Sequence, residues 1–255
     1  MSSEPFTNIM ATPNGNHIPQ HKFVLLPQFF GAELIVAEIA AKLIAKRNAN
    51  IAALEDSQIY GNTTLVVTCT GNIGKTQEIT NWTEKNVPKP WTIHKDENAQ
   101  SGAGNQPYGQ GIWKGASGRI ADSASRFDTT LLNQHNIGTV LFVAIEDGID
   151  EFPPNGPVTY AVGVCYNAKD KLATVANSDG VMLNPGLLEL AQIKGFEDPT
   201  ENERGIVTYG EVGEKLYDVP RHNWHPYFCG SIYDRYKYFH RNMMNLLVVP
   251  FVNKS

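Results

Sequence analysis

Hydrophobic and polar positions along the chain follow two different periods. From Gly31 to about Asn48, Leu34, Ile35, Val36, Ile39, Leu43 and Ile44 recur every three or four residues, while Glu38, Lys42 and Lys46 share another face. This predicts an amphipathic helix, with Glu38 and Lys42 in the favourable i,i+4 order. Apolar runs of strand length follow at Thr64–Cys69, Val140–Ile145 and Val158–Tyr166, with a weaker one at Leu172–Ala176. Turn residues such as Thr70-Gly71-Asn72 and Glu146-Asp147-Gly148 bound the first two. Helices are predicted from about Lys75 to Thr83, from Ala116 to Asn133, over Pro185–Lys194 and over Ser231–Val249. Strands alternating with helices imply an α/β fold with some parallel pairs, a mixed elongated sheet flanked by helices, and the close-set third and fourth strands imply an antiparallel hairpin.

The polar stretches set the organisation. Residues 1–22 are broken by Pro13, Gly15 and Pro19 and have little to bury, so a flexible arm is expected over 1–28. Asn86–Gly111 is long, polar and rich in Pro, Gly and Asn, with Trp91 and Trp113 at its edges, which predicts a functional or disordered loop. Glu197–Arg204 predicts a charged loop. With no repeat and no second composition regime, one domain is expected at 60–253, preceded by the arm and a helical segment at 29–55. That helix is expected to pack on its own domain or on a dimer partner, because its polar face mixes charges instead of carrying the Lys/Arg surplus of lipid-surface helices.

Composition narrows the function classes. Across 255 residues, 21 Lys+Arg stand against 26 Asp+Glu, a formal charge of −5, which argues against a protein built to grip nucleic-acid phosphates. A hydrophobic content of 42% is ample for a core. Cys69, Cys165 and Cys229 show no CxxC spacing and are expected as reduced thiols. The start Met1-Ser2-Ser3-Glu4-Pro5 has no basic stretch followed by an apolar one, and runs such as Leu246–Val249 are far too short to span a bilayer. A cytoplasmic protein, or one at a cytosol-facing membrane surface, is expected.

Two constellations carry candidate chemistry. Gly71-Asn72-Ile73-Gly74-Lys75-Thr76 lacks the four residues a P-loop needs between its glycines. A strand ending in a Gly/Asn turn that opens a helix, with Lys75 in its first turn, still makes a positive, N–H-rich pocket suited to phosphate. Glu146, Asp147 and Asp150 stand where a buried strand emerges. Ligands bind there in open α/β sheets, and carboxylates there suit Mg²⁺ that also holds substrate phosphates. As bare structure, the first motif is a common turn with a solvated Lys and the second a solvated acidic turn. His222 and His225 lack the spacing of a zincin helix. Asn62-Thr63-Thr64 and Asn81-Trp82-Thr83 match a glycosylation pattern that has no consequence without a secretory signal.

Thr70-x-Asn72-x-x-Lys75, Gln106-Pro107-Tyr108-Gly109 leading to Gly115-Ala116 and Arg119, Val143-Ala144-Ile145-Glu146-x-Gly148-Ile149-Asp150, and Pro250-Phe251-Val252-Asn253 together resemble, in order, the inosine/xanthosine triphosphatases. Val207–Lys215 and Arg221-His222-Asn223-Trp224-His225 before Gly230 are similar to the C-terminal domain of the Golgi-associated proline-rich coiled-coil-containing proteins, which share that fold without being established enzymes. The resemblance implies a homodimer and hydrolysis of deaminated purine nucleoside triphosphates assisted by Mg²⁺ or Mn²⁺. It assigns Lys75 and Glu146 to catalysis. Thr70, Asn72, Gln106, Gly109 and Arg119 are assigned to substrate and Glu146 to metal, with Asp147, where the enzymes often have a small residue, as a candidate substitute metal ligand.

One departure weighs against catalysis. After Gln-Pro-aromatic-Gly the enzymes carry a Glu-Thr pair. Here the stretch reads Gln110-Gly111-Ile112-Trp113-Lys114, and no acid occurs between Glu97 and Asp122. Two functions therefore stay open. One is a non-catalytic or weakly catalytic binding or regulatory module of the Golgi or secretory-pathway type, with a purine nucleotide or a secretory or kinase-regulatory protein as partner. The other is a working metal-dependent phosphatase for ITP and XTP.

Overall fold

A computed structural model describes residues 22–24, 32–46, 49–55, 61–152, 156–196, 205–230 and 234–250. Most of the arm at 1–28, the charged loop at 197–204 and the terminal residues 251–253 lie outside the described residues. The architecture is mixed α/β, a seven-stranded sheet with helices on both faces. In sequence the strands are β1 (Lys22–Val24), β2 (Thr63–Thr68), β3 (Trp91–Lys95), β4 (Ile137–Phe152), β5 (Gly156–Asn167), β6 (Leu172–Asn177) and β7 (Gly180–Met182). The spatial order is β1-β7-β5-β4-β2-β3, with β6 also on β5. β2 is parallel to both β3 and β4, and every other pairing is antiparallel, including the β5/β6 hairpin.

Alternation along β4 divides the core. Val140, Phe142 and Ala144 face one compartment with Leu65 and Val67 of β2, closed by α1 (Ala32–Ala45), α2 (Ala49–Glu55) and α4 (Gly111–Arg126). α1 enters it through Ile39 and Leu43, and α4 through Ile112, Ala116 and Ile120. Leu141, Val143 and Ile145 face the other compartment, closed by α3 (Ile73–Asn86) and α9 (Arg241–Leu246) through Ile79, Trp82, Met243 and Met244. With both faces covered, these strands read as continuous apolar runs. A third cluster joins α6 (Pro185–Phe196), α7 (Tyr209–Tyr217) and α8 (His225–Cys229) around Tyr209, Trp224 and Phe228. Each fully buried Leu, Ile, Val or Phe contributes roughly 1.5–3 kcal/mol by its burial.

Several boundaries differ from the sequence reading. The acidic triplet is not a turn, because β4 runs through Glu146, Asp147 and Asp150 to Phe152, laddered throughout on β5. The stretch read as a loop from Asn86 to Gly111 contains the half-exposed edge strand β3, which needs a ladder on one side only and shows little apolar alternation. The helix expected over Ala116–Asn133 starts at Gly111 and stops at Arg126. A second helix, α5 (Thr130–Gln134), opens where the Asp128 carboxylate accepts from Thr130 N and Oγ1. The terminal helix starts as a π-helical turn, Arg235–His240, before α9. The arm contributes β1, paired with β7.

Candidate functional site

β2 pairs with β4 only as far as Thr68 opposite Val143, and Cys69 N adds one more bond to Val143 O. The edge of β4 is covered again at Ile149, which bridges to Tyr108. Between these points a gap opens beside residues 144–148, and a cleft of about 350 Å³ lies there. It sits past the carboxyl end of β2, where open α/β sheets hold ligands.

The turn after β2 supplies one wall. Thr70 Oγ1 accepts from Asn72 N at 3.1 Å, and Asn72 Oδ1 accepts from Lys75 N at 3.0 Å, making Asn72 the N-cap of α3. An Asn cap satisfies one of the first-turn N–H groups and leaves the positive helix end toward the cleft. Tyr236 lies over this turn: its hydroxyl accepts from Asn72 Nδ2 at 3.3 Å, and a Cβ on Gly74 would sit 2.5 Å from its ring. Gly74 is therefore required by close approach.

Lys75 is almost fully buried and donates to Ile145 O at 2.9 Å, filling the carbonyl left open in the gap, and to Asp147 Oδ2 at 2.8 Å. Its ammonium is 3.9 Å from Glu146 Oε1. Glu146 Oε2 accepts from Arg119 Nε of α4 at 2.6 Å, and Arg119 Nη1 donates to Ala99 O at 2.7 Å. Gly115 gives α4 a close approach to Glu146, since a Cβ there would lie 3.0 Å from Glu146 Cγ and push that side chain by a few tenths of an ångström.

Asp147 sits on the opposite face and is the most heavily compensated group. Arg235 donates through Nη2 to Oδ2 at 2.7 Å and through Nε to Oδ1 at 3.4 Å, and His240 Nε2 meets Oδ1 at 2.6 Å. Burial opposes the charge on Asp147, but Arg235, His240 and Lys75 outweigh burial and hold its carboxyl well below the usual carboxylate range. Burial is also the first influence on His240 and holds it below its ordinary value against the pull of Asp147. Counting His240 as a cation beside Asp147 conflicts with that direction. The fully enclosed ring, whose Nδ1 has no hydrogen-bond partner among the described residues, favours the neutral form with Nε2–H donating.

Among the residues assigned from sequence, Thr70, Asn72, Lys75, Gln106, Arg119, Glu146 and Asp147 all line this cleft. Gln106 Oε1 accepts from Tyr209 N at 3.3 Å, tying the wall to α7. Gly109 is not in the lining. It turns the chain at φ +51° and donates from N to Ile149 O at 2.9 Å. Asp150 is likewise outside the lining and engages the Tyr160 hydroxyl, whose titration is pushed up by burial first and Asp150 second. Gln110–Lys114 contributes nothing to the cleft. Gly111 and Lys114 instead line a second cavity of about 360 Å³, with Gln106 bordering both.

Arg235, Tyr236 and His240 were missed. Their spacing is no α-helical signal, because Arg235 and His240 are five apart and meet one carboxylate only through the i→i+5 winding of a π turn. Arg221, His222 and Trp224 also line the cleft, with Trp224 stacked on His225 at 3.8 Å between centroids. Among the described residues the lining carries Lys75, Arg119, Arg221 and Arg235 against Glu146 and Asp147, an excess of two positive charges.

A divalent cation does not fit these side chains. Both oxygens of Asp147 are taken by Lys75, Arg235 and His240, and Glu146 has one oxygen on Arg119 and the other facing Lys75. Mg²⁺ would have to displace cations that already engage its carboxylates. Among the described residues there is no group of three or more His, Cys, Asp or Glu placed to hold a metal. Nor is any helix among them long and apolar enough to cross a membrane.

No known protein-family profile and no curated protein matches the chain. Among solved structures it is similar to protein VC0702 from Vibrio cholerae, at 17% identity and a TM-score of 0.49, over 74% of this chain and 96% of that one.

Proposed function

We propose that the chain is an inosine triphosphatase-like domain carrying an N-terminal amphipathic helix, and that it binds the phosphates of a purine nucleotide without turning it over efficiently. One observation carries this reading. The N-terminal end of α3, Lys75, Arg119 and Arg235 converge on one cleft, while both nearby carboxylates are neutralised by those same cations. Anion binding needs the first condition, and metal-assisted hydrolysis is hindered by the second. The preference for a purine rests on the family resemblance, since the rings that border the cleft, Tyr160, Tyr209, Trp224 and Phe239, are buried and Trp224 is already stacked on His225. In this reading the domain is a homodimeric regulatory module, cytoplasmic and Golgi-associated, that reports nucleotide to a secretory or kinase-regulatory partner.

The test is to incubate the purified protein with ITP, XTP, GTP or ATP and Mg²⁺ or Mn²⁺, measuring phosphate release and melting temperature. The expected outcome is a nucleotide-induced rise in melting temperature with negligible release. Turnover abolished by Glu146→Gln and Lys75→Ala would establish a working phosphatase instead.

A further inference from the structure

We infer that Arg235 is a resident cation standing in place of a divalent metal, so that this cleft takes phosphate groups free of metal. The inference rests on the nucleotide-binding reading above and specifies the form of the ligand.

The geometry around Asp147 is closed to a metal and open to an anion. Lys75 and Arg235 share Oδ2 at 2.8 and 2.7 Å, and His240 and Arg235 share Oδ1 at 2.6 and 3.4 Å. Neither cation is loosely placed. Lys75 is anchored on Ile145 O, Arg235 Nη1 donates to His222 O at 3.0 Å, and the backbone N of Arg235 donates to Asn223 Oδ1 at 3.0 Å. Asn223 is held in turn by donating from Nδ2 to Asp234 Oδ2 at 2.7 Å, and Asp234 caps the π turn. To reach Asp147, a metal would have to displace a guanidinium fixed at both backbone and head.

The same guanidinium remains a good phosphate ligand. Its bonds to Asp147 and His222 use three of the five N–H donors that Arg carries, and the side chain lines the cleft. A planar fork meets phosphate oxygens two at a time. With Lys75 and the first turn of α3 beside it, Arg235 supplies the charge neutralisation that nucleotide sites otherwise take from Mg²⁺. The ligand class is therefore a phosphate ester not wrapped around a metal, such as a nucleoside mono- or diphosphate or the metal-free form of a triphosphate.

The experiment is calorimetric titration of the full chain with ITP and, separately, inorganic pyrophosphate, in excess EDTA and in excess Mg²⁺. ITP is expected to bind in EDTA within about threefold of its affinity in Mg²⁺, or tighter. Arg235→Ala is expected to weaken EDTA binding by roughly tenfold or more. Arg235→Lys keeps the charge without the fork and is expected to fall between the two. It also serves as the reading should Arg235→Ala fail to fold by circular dichroism. Wild-type ITP binding that is lost in EDTA and restored by Mg²⁺ would overturn the inference while leaving nucleotide binding intact. No binding of either probe in either buffer would overturn both.

Discussion

Glu146 and Asp147 are neighbours on β4, yet the alternation of the strand places them in different compartments with different company. Glu146 belongs to the α4 face and meets one close cation, Arg119, whose side chain is 21% exposed and also bonded to Ala99 O. Asp147 belongs to the α3/α9 face and is held by Lys75, Arg235 and the fully enclosed His240. The difference teaches that two adjacent acids at the end of an apolar run need not act as a pair. One is a hub that ties two elements, α3 and the π turn, to the sheet. The other is bonded to Arg119, with Lys75 a further 3.9 Å away, so fewer bonds tie it down although its own side chain is the more buried of the two, 7% against 18% exposed.

The sharpest way to break this comparison is Asp147→Asn. It leaves the buried Lys75 and the partly buried Arg235 without their anion, and removing one partner of a buried ion pair costs up to about 3–5 kcal/mol. A fall in melting temperature of roughly 10 °C is expected by calorimetry. Glu146→Gln is expected to cost less, about 1–3 kcal/mol, because Arg119 retains Ala99 O and solvent. If urea denaturation ranks the two variants the other way, the hub assignment fails.

A smaller effect tests the protonation of the hub. His240 titrates lower in the folded chain than in the unfolded one, so its contribution to stability is complete above about pH 6.5. That contribution is lost as pH falls from there toward the folded value, at up to about 1.4 kcal/mol per pH unit. Wild type should therefore lose stability faster than His240→Gln between pH 7 and 5, read as urea midpoints. The depressed carboxyl of Asp147 acts in the same direction only at more acid pH, since its contribution is full above its unfolded value near 3.8. Smallest of all is Lys46→Ala. Its bond to Asp122 at 2.9 Å lies at the surface, with Lys46 45% exposed, and about 0.5 kcal/mol or less is expected.

How much of this was legible follows from where the signals lie. β2, the core of β4, α3 and the β5/β6 hairpin announce themselves because both sheet faces are covered and apolar runs result. Lys75 was legible in the first turn of a helix opened by a Gly/Asn turn after a strand, a purely local motif, and the structure adds that Asn72 caps that helix. The continuation of β4 through its acids was not, because the ladder with β5 and the cations that neutralise Asp147 come from residues far away in sequence. β3 was hidden by being an edge. The sequence reading passed over α7, although Thr208-x-x-Glu211 carries a capping-box pattern and the helix opens on it, Thr208 Oγ1 accepting from Glu211 N and Glu211 Oε2 from Thr208 N.

The π turn at Arg235–His240 ties the hub to one winding of the backbone. In an α-helix each residue advances roughly 100° about the axis, so residues five apart point away from each other. Rewinding these six residues as α-helix would therefore detach either Arg235 or His240 from Asp147 with every side chain of the hub still in the chain. Deleting one residue between 236 and 239 would instead leave the two side chains four apart, a spacing that shares one face of an α-helix, so the hub admits two solutions, five apart on a π turn or four apart on an α turn.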